Sequence, residues 1–163
     1  MNVATPHGHL TLRAETDGDA DFLFALFAAT KAPDMALMPV DDTVKAHLLQ
    51  MQYRSMTMTY RAQYPDARFE IVQLDGAPIG RLITDVRADC VYYVDIALLP
   101  ERRMGGLATA LMLAVLEEPR RLGVPGRVKV MGSNVASLRL CQKLGMVVRA
   151  QVPPFVELEW VGG

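Results

Sequence analysis

Polar and apolar residues alternate through LTLRAET (10–16), the two-residue period of a half-covered strand. The run from Asp17 to Asp21 then supplies turn and cap residues for a helix over FLFALFAATKA (22–32), which the pattern ends before Pro33. Between Pro33 and Pro39 the chain is broken and rich in methionine. Asp41 and Asp42 cap a longer helical run, TVKAHLLQMQYRSMTMTYRAQY, that stops near Pro65. Asp75-Gly76 is a hairpin signal between RFEIVQL and PIGRLITDV, and Asp89 and Cys90 lie near a second turn before VYYVDIALL. These three strands predict an antiparallel meander.

The period changes after Pro100. A glycine pair leads into an apolar helix running to about Leu122 with a kink at Pro119, Gly123 and Pro125 break it, and RVKVM (127–131) returns as a strand. This is a βαβ unit. Asn134 caps a short helix, VASLRLCQKL, with Gly145 as its C-terminal glycine, and MVVRAQV and FVELEW form two last strands. Repeats, low-complexity tracts and linkers are absent, so residues 1–163 are read as a single domain.

Composition narrows the function classes. Of 163 residues, 51% are hydrophobic, enough for a core without disulfide staples, and 17 basic residues nearly balance 18 acidic ones. That balance gives no global field toward nucleic acid or an anionic membrane. The opening MNVATPHGHL lacks the basic flank and apolar run of a signal peptide, and no stretch approaches the ~20 apolar residues of a membrane span, so a cytoplasmic protein is expected. Cys90 and Cys141 are far apart and in no metal-ligand spacing, which predicts reduced thiols and no metal site.

The candidate chemistry sits in ERRMGGLATALMLAVLEE (101–118). Backbone N–H groups of a glycine-rich turn, joined by the free amides of a helix N-terminus, form a concave site for phosphate oxygens. Gly105 and Gly106 would admit a pyrophosphate closely, and Arg102 and Arg103 would add charge. An ordinary strand-to-helix turn has the same pattern. Neither GxxxxGK[ST] nor GxGxxG is present, which excludes the common nucleotide loops.

From Tyr92 onward the chain resembles the GNAT superfamily of acetyl-CoA-dependent N-acetyltransferases, in which a strand and a proline precede [QR]-x-x-G-x-[GA] and the cofactor helix. Arg103-Met104-Gly105-Gly106-Leu107-Ala108 matches that motif within DIALLPERRMGGLATALM, and NVASLRLCQKLGM is similar to the family's N-x-x-[AS]-x-x-L-Y-x-K-x-G-F at Asn134, Ser137, Leu140, Lys143 and Gly145. The resemblance implies an α/β (α+β) fold, a mixed, mostly antiparallel twisted sheet of six to seven strands flanked by helices, with a central βαβ cofactor unit. It further implies that Ile96, Ala97, Leu98 and Leu99 offer backbone groups to the pantetheine arm as an added edge strand would. Arg102 through Ala108, with Thr109, would hold the pyrophosphate, although the family's usual loop has glycine where Met104 stands and often a basic residue where Gly105 stands. Asn134, Ser137, Leu140 and Cys141 would lie near the thioester end, Asn134 serving equally as a helix cap.

Acetyl transfer needs a neutral amine, a fixed approach to the carbonyl, a donor for the developing oxyanion and a proton for the departing thiolate. The resemblance makes the Leu98 N–H the candidate oxyanion donor. Where the family has a tyrosine acid this chain has Cys141, either a replacement acid or a small core residue. Asp95, an acid inside an apolar strand, is the candidate base if burial raises its pKa, or else a structural carboxylate; Glu70 and Asp85 are weaker candidates.

The acceptor pocket is expected among the early helices. Met35, Met38, Met51, Met56 and Met58 are adaptable lining or core filler, Tyr53, Tyr60, Tyr92 and Phe155 offer ring faces, and Asp34, Asp41 and Asp42 suit a cationic amine or cap a helix. The expected function is transfer of an acetyl group from acetyl-CoA, as co-substrate, to the primary amine of a small molecule or peptide. Its rivals are a non-catalytic acyl-CoA binding or regulatory module on the same fold and a phosphate-ligand domain unrelated to coenzyme A. FVELEW offers a sheet edge for a homodimer.

Overall fold

The computed structural model describes residues 1–103 and 105–162. Its strands are β1 (Asn2–Thr5), β2 (Gly8–Ala14), β3 (Arg68–Leu74), β4 (Ala77–Val86), β5 (Val91–Leu98), β6 (Gly126–Met131), β7 (Val147–Val152) and β8 (Phe155–Trp160). They form one eight-stranded sheet in the order β1-β2-β3-β4-β5-β6-β8-β7, and among its described pairs only β5 with β6 runs parallel. The sheet thus has one strand beyond the six to seven expected. The extra one is β1, four residues long, too short for its alternation to rise above the surrounding turn residues. FVELEW does not offer an edge: β8 pairs with β6 on one side and β7 on the other, which leaves β1 and β7 outermost.

Among the described residues, five α-helices dress the sheet: α1 (Ala20–Ala36), α2 (Asp42–Gln63), α3 (Leu107–Val115), α4 (Glu117–Leu122) and α5 (Val135–Lys143). Asp41 caps α2 by accepting the Val44 N–H at 2.9 Å, as the sequence predicts. Pro33 does not end α1, which continues for three more residues. The proline removes one N–H near the helix end, while Met35 in the last turn is buried, so packing outweighs the lost bond.

Pro119 kinks the helix, as the sequence predicts: the break falls at Leu116, between α3 and α4, within the turn before the proline, and Pro119 sits buried in the first turn of α4. A residue with an N–H at 119 would bond the Val115 carbonyl; the Tyr93 hydroxyl does so instead, at 2.6 Å. Gly123 ends α4 and Gly145 follows α5, both with left-handed backbone, φ 70° and 83°.

Strand alternation sorts the core into two faces. Leu82, Tyr93 and Leu98 pack with Leu107, Leu111 and Met112 of α3 and with Cys141 of α5, in one cluster that also takes in Leu158 and Trp160. Ile71 and Ile83 point to the opposite face, the side of Leu23, Leu26 and Phe27 on α1. Among the described residues, no helix is long and apolar enough to cross a membrane.

Candidate active site

β5 and β6 pair at Val91, Tyr92 and Tyr93 and no further. Across β5, the register with β4 slips: Thr84 faces Tyr93 but Ile83 faces Asp95, so Val94 is an extra residue, a β-bulge. The bulge bends β5 away while β6 stays bound to β8, and the sheet parts. The opening is a cleft of about 520 Å³, the size of a small-molecule site, lined by Val94, Asp95, Ile96 and Leu98 on one wall and by β6 on the other.

Hydrogen-bond direction decides which backbone groups face it. The Leu99 N–H donates to the Ile79 carbonyl of β4 at 2.8 Å. Antiparallel alternation then turns the Ala97 groups toward β4 as well, and those of Ile96 and Leu98 away from it, into the parting. Ile96 and Leu98 can therefore serve an extended ligand. The N–H groups of Ala97 and Leu99 face β4, so of the four residues expected to offer backbone groups Ile96 and Leu98 turn their amides into the opening. The Leu98 carbonyl is itself engaged by Arg103 Nε at 3.2 Å, which ties the glycine loop to the end of β5.

Beyond that tie, Gly105 and Gly106 both adopt left-handed backbone, φ 83° and 81°, and Gly106 is the N-cap of α3 with no side-chain cap. The first intrahelical bond is Ala110 N–H to Gly106 O, so the amides of Leu107, Ala108 and Thr109 have no helical acceptor. Among the described residues, a Cβ added at Gly106 would meet no heavy atom within 4 Å, at the edge of the cleft. Gly106, Ala108 and Thr109 line the cleft with Arg103, whereas Arg102, Gly105 and Leu107 do not, and Leu107 is core. Met104 lies outside the described residues.

The far wall comes from α5. Asn134 is its cap, accepting the Ser137 N–H at 3.2 Å, and Asn134, Ser137, Leu140 and Cys141 all line the cleft. The Cys141 side chain is buried, and burial pushes its thiol pKa up. Met112, Lys129, Val130, Met131, Ala136 and Lys143 also line the cleft. Lys143 is part of the α5 motif, but Lys129 and Met131 carry no sequence signal, since only the missing β5 pairing exposes them.

The acidic residues separate. Asp95 lines the cleft but is no isolated buried acid: its Oδ2 accepts from Arg81 Nη2 at 2.7 Å and Nε at 3.2 Å, and the Arg81 side chain is only 8% exposed. The desolvation argument for a free base thus meets a guanidinium, and the structural reading of Asp95 has the better support. Tyr60 stands beside this pair; burial and the Asp95 charge push its hydroxyl up to about 12. Asp85 is engaged by Arg87 at 2.8 Å, and Glu70 faces Arg68 at 3.7 Å, its carboxyl raised by burial. Neither lines the cleft.

The acceptor candidates are likewise divided. None of the five methionines lines the cleft: Met35 is core, and Met51 and Met58 are 57% and 72% exposed on α2. Tyr53 packs edge-on against Phe24, with ring centroids 5.4 Å apart, so it joins α2 to α1. Tyr60, Tyr64 and Tyr92 form a row of rings on the α2 side of β5, spaced 6.5 and 5.9 Å.

A bulged strand parting from its parallel neighbour and feeding a glycine-led helix is the architecture of an acetyltransferase fold. Residues 38–146 match the acetyltransferase (GNAT) family, and the chain belongs to that family. Comparison with curated protein sequences gives no match. Solved structures of similar fold include the PaiA N-acetyltransferase of Thermoplasma acidophilum in complex with coenzyme A, at TM-score 0.70 and 16% identity over 94% of this chain and 99% of that one. Mycobacterium smegmatis RimJ in complex with CoA-disulfide gives TM-score 0.69 and 16% identity over 99% and 86%. The ribosomal-protein-S18-alanine N-acetyltransferase of Escherichia coli gives 0.64 and 16% over 94% and 95%.

Proposed function

We propose that residues 1–163 act as one domain that transfers an acetyl group from acetyl-CoA to the primary amine of a small molecule or peptide, the amine attacking the thioester directly. The observation that carries this reading is the parting of β5 from β6 at Val94, which turns the Ile96 and Leu98 amides into a cleft ending at the uncapped start of α3. The residues present fit coenzyme A: Gly106 leaves open the space its side chain would fill, and the helix amides behind it favour phosphate oxygens. Ile96 and Leu98 would take the pantetheine arm, Arg103, Gly106, Ala108 and Thr109 the pyrophosphate, and Asn134, Ser137, Leu140 and Cys141 the opposite side of the arm.

Acetyl-CoA supplies the activated acyl group when bound. The protein's own part is placement. The Leu98 N–H is the preorganised donor for the carbonyl oxygen, and Arg81 with Asp95 holds β5 in register beside it. Cys141 lines the cleft and would be the side-chain proton donor to the leaving thiolate; burial raises its pKa, which keeps the thiol protonated and makes it a weaker acid than an exposed one. The buried, unpaired Cys90 and Cys141 fit a cytosolic setting.

Calorimetric titration with acetyl-CoA, then thiol release across polyamines, amino acids, aminoglycosides and peptides, tests the reading. Binding with release on one acceptor class supports it. Absence of binding at high micromolar ligand removes coenzyme A from the site. Binding with silence across the panel favours the acyl-CoA binding module, the second reading, which draws on the packing of Cys141 where the family has a tyrosine.

A further inference from the structure

Gly105 and Gly106 differ in their surroundings. A Cβ at Gly105 would sit 2.2 Å from His7 Nε2, 2.9 Å from its Cε1 and 3.0 Å from its Cδ2. The leading edge of the imidazole is therefore laid against the loop. His7 belongs to the turn between β1 and β2, the strand missed in the sequence. Antiparallel pairing from β2 through β5 puts that turn at the same end of the sheet as the end of β5 and the glycine loop.

The turn is firmly placed. Thr5 Oγ1 donates to the Gly8 carbonyl at 2.7 Å and accepts the His7 N–H at 3.1 Å, while the His9 N–H donates to Asp75 Oδ1 at 2.9 Å. Asp75 in turn donates its N–H to the His9 carbonyl at 2.9 Å, which locks the β1–β2 turn to the β3–β4 turn. Among the described residues, the His7 ring makes no hydrogen bond. An imidazole free of hydrogen bonds among the described residues and set against Gly105, the residue before the N-cap of α3, suits an anionic oxygen.

We propose that His7 is a phosphate-binding residue of the coenzyme A site, donating from its ring to a phosphate of the ligand beside the glycine loop. This rests on the coenzyme A reading above. Two groups of that ligand have the required chemistry, the pyrophosphate and the ribose 3′-phosphate, and dephospho-coenzyme A, which lacks the latter, separates them.

The experiment is calorimetric titration of the full chain and of His7→Ala, His7→Phe and His7→Gln with coenzyme A and with dephospho-coenzyme A, with thermal melts as a check on folding. His7→Phe keeps a flat ring against Gly105 but has no donor; His7→Gln keeps a donor. Expected are losses of about tenfold in coenzyme A affinity for His7→Ala and His7→Phe and a smaller loss for His7→Gln, the scale of one hydrogen bond to a charged group. Equal losses with dephospho-coenzyme A assign the contact to the pyrophosphate. Losses confined to coenzyme A assign it to the 3′-phosphate. A His7→Phe protein that binds as the parent does overturns the proposal, because the ring then only props the loop. Failure of the parent chain itself to bind coenzyme A removes the underlying reading instead, so the two failures are told apart.

Discussion

Arg81 and Asp95 face each other diagonally across β4 and β5, Nη2 to Oδ2 at 2.7 Å, at the level where the sheet parts. Burying a guanidinium is tolerable only with a carboxylate beside it. Asp95→Ala leaves Arg81 uncompensated and should lower stability by roughly 2 kcal/mol, less than for a fully buried pair because Asp95 is partly exposed. Arg81→Met with Asp95→Leu should recover much of that in a denaturant double-mutant cycle. An Asp95→Ala protein as stable as the parent contradicts this account.

Tyr93 replaces the amide that Pro119 lacks. Tyr93→Phe leaves the Val115 carbonyl without its donor and should cost about 1–2 kcal/mol in urea unfolding. Coenzyme A affinity should hold, since Tyr93 does not line the cleft.

Gly106 separates backbone strain from ligand space. Gly106→Ala forces a side chain into left-handed backbone and should cost about 1 kcal/mol in stability. Gly106→Glu adds bulk and negative charge at the mouth of the proposed phosphate cradle and should weaken coenzyme A binding at least about a hundredfold, read by calorimetry, with the circular dichroism spectrum kept. Retained affinity would take the pyrophosphate away from this loop.

Cys141 and Cys90 are both buried and should react slowly with a thiol reagent under native conditions. Only Cys141 lines the cleft, so coenzyme A should slow its labelling further and leave Cys90 unchanged. Cys141→Ala should reduce turnover by about tenfold or more at constant cofactor affinity, the effect of losing a general acid. A rate that stays level through the alkaline range relegates the thiol to packing.

Acid should act through Asp19. Its hydrogen bonds from the Arg13 guanidinium and the Thr16 amide hold the carboxyl well below the usual carboxylate range. A depressed folded-state pKa stabilises above the unfolded value, near ~4, and that contribution is lost as pH falls through the folded value. Asp19→Asn should therefore be less stable than the parent at pH 7, with the gap narrowing progressively below about pH 4 in denaturant midpoints.

The order of the main elements was legible because each was signalled locally. Alternation marked β3 to β5, Asp41 and Asn134 capped their helices, and Gly123 and Gly145 ended theirs. Local signals failed where packing outweighed them. Pro33 reads as a stop, yet burial of Met35 holds the last turn of α1.

Sequence alone determined the glycine loop, its helix and the identity of the α5 wall, because a motif of adjacent residues carries its own backbone geometry. Tertiary structure decided which of those residues share a cleft. The bulge at Val94 has no glycine or proline to announce it, yet it sets which amides of β5 are free and which are spent on β4. Asp95 acquired Arg81 through the β4–β5 register, and Gly105 acquired His7 from the distant turn between β1 and β2. A side chain's partner depends on register, which a one-residue slip changes throughout a strand, and no spacing along a single segment records it.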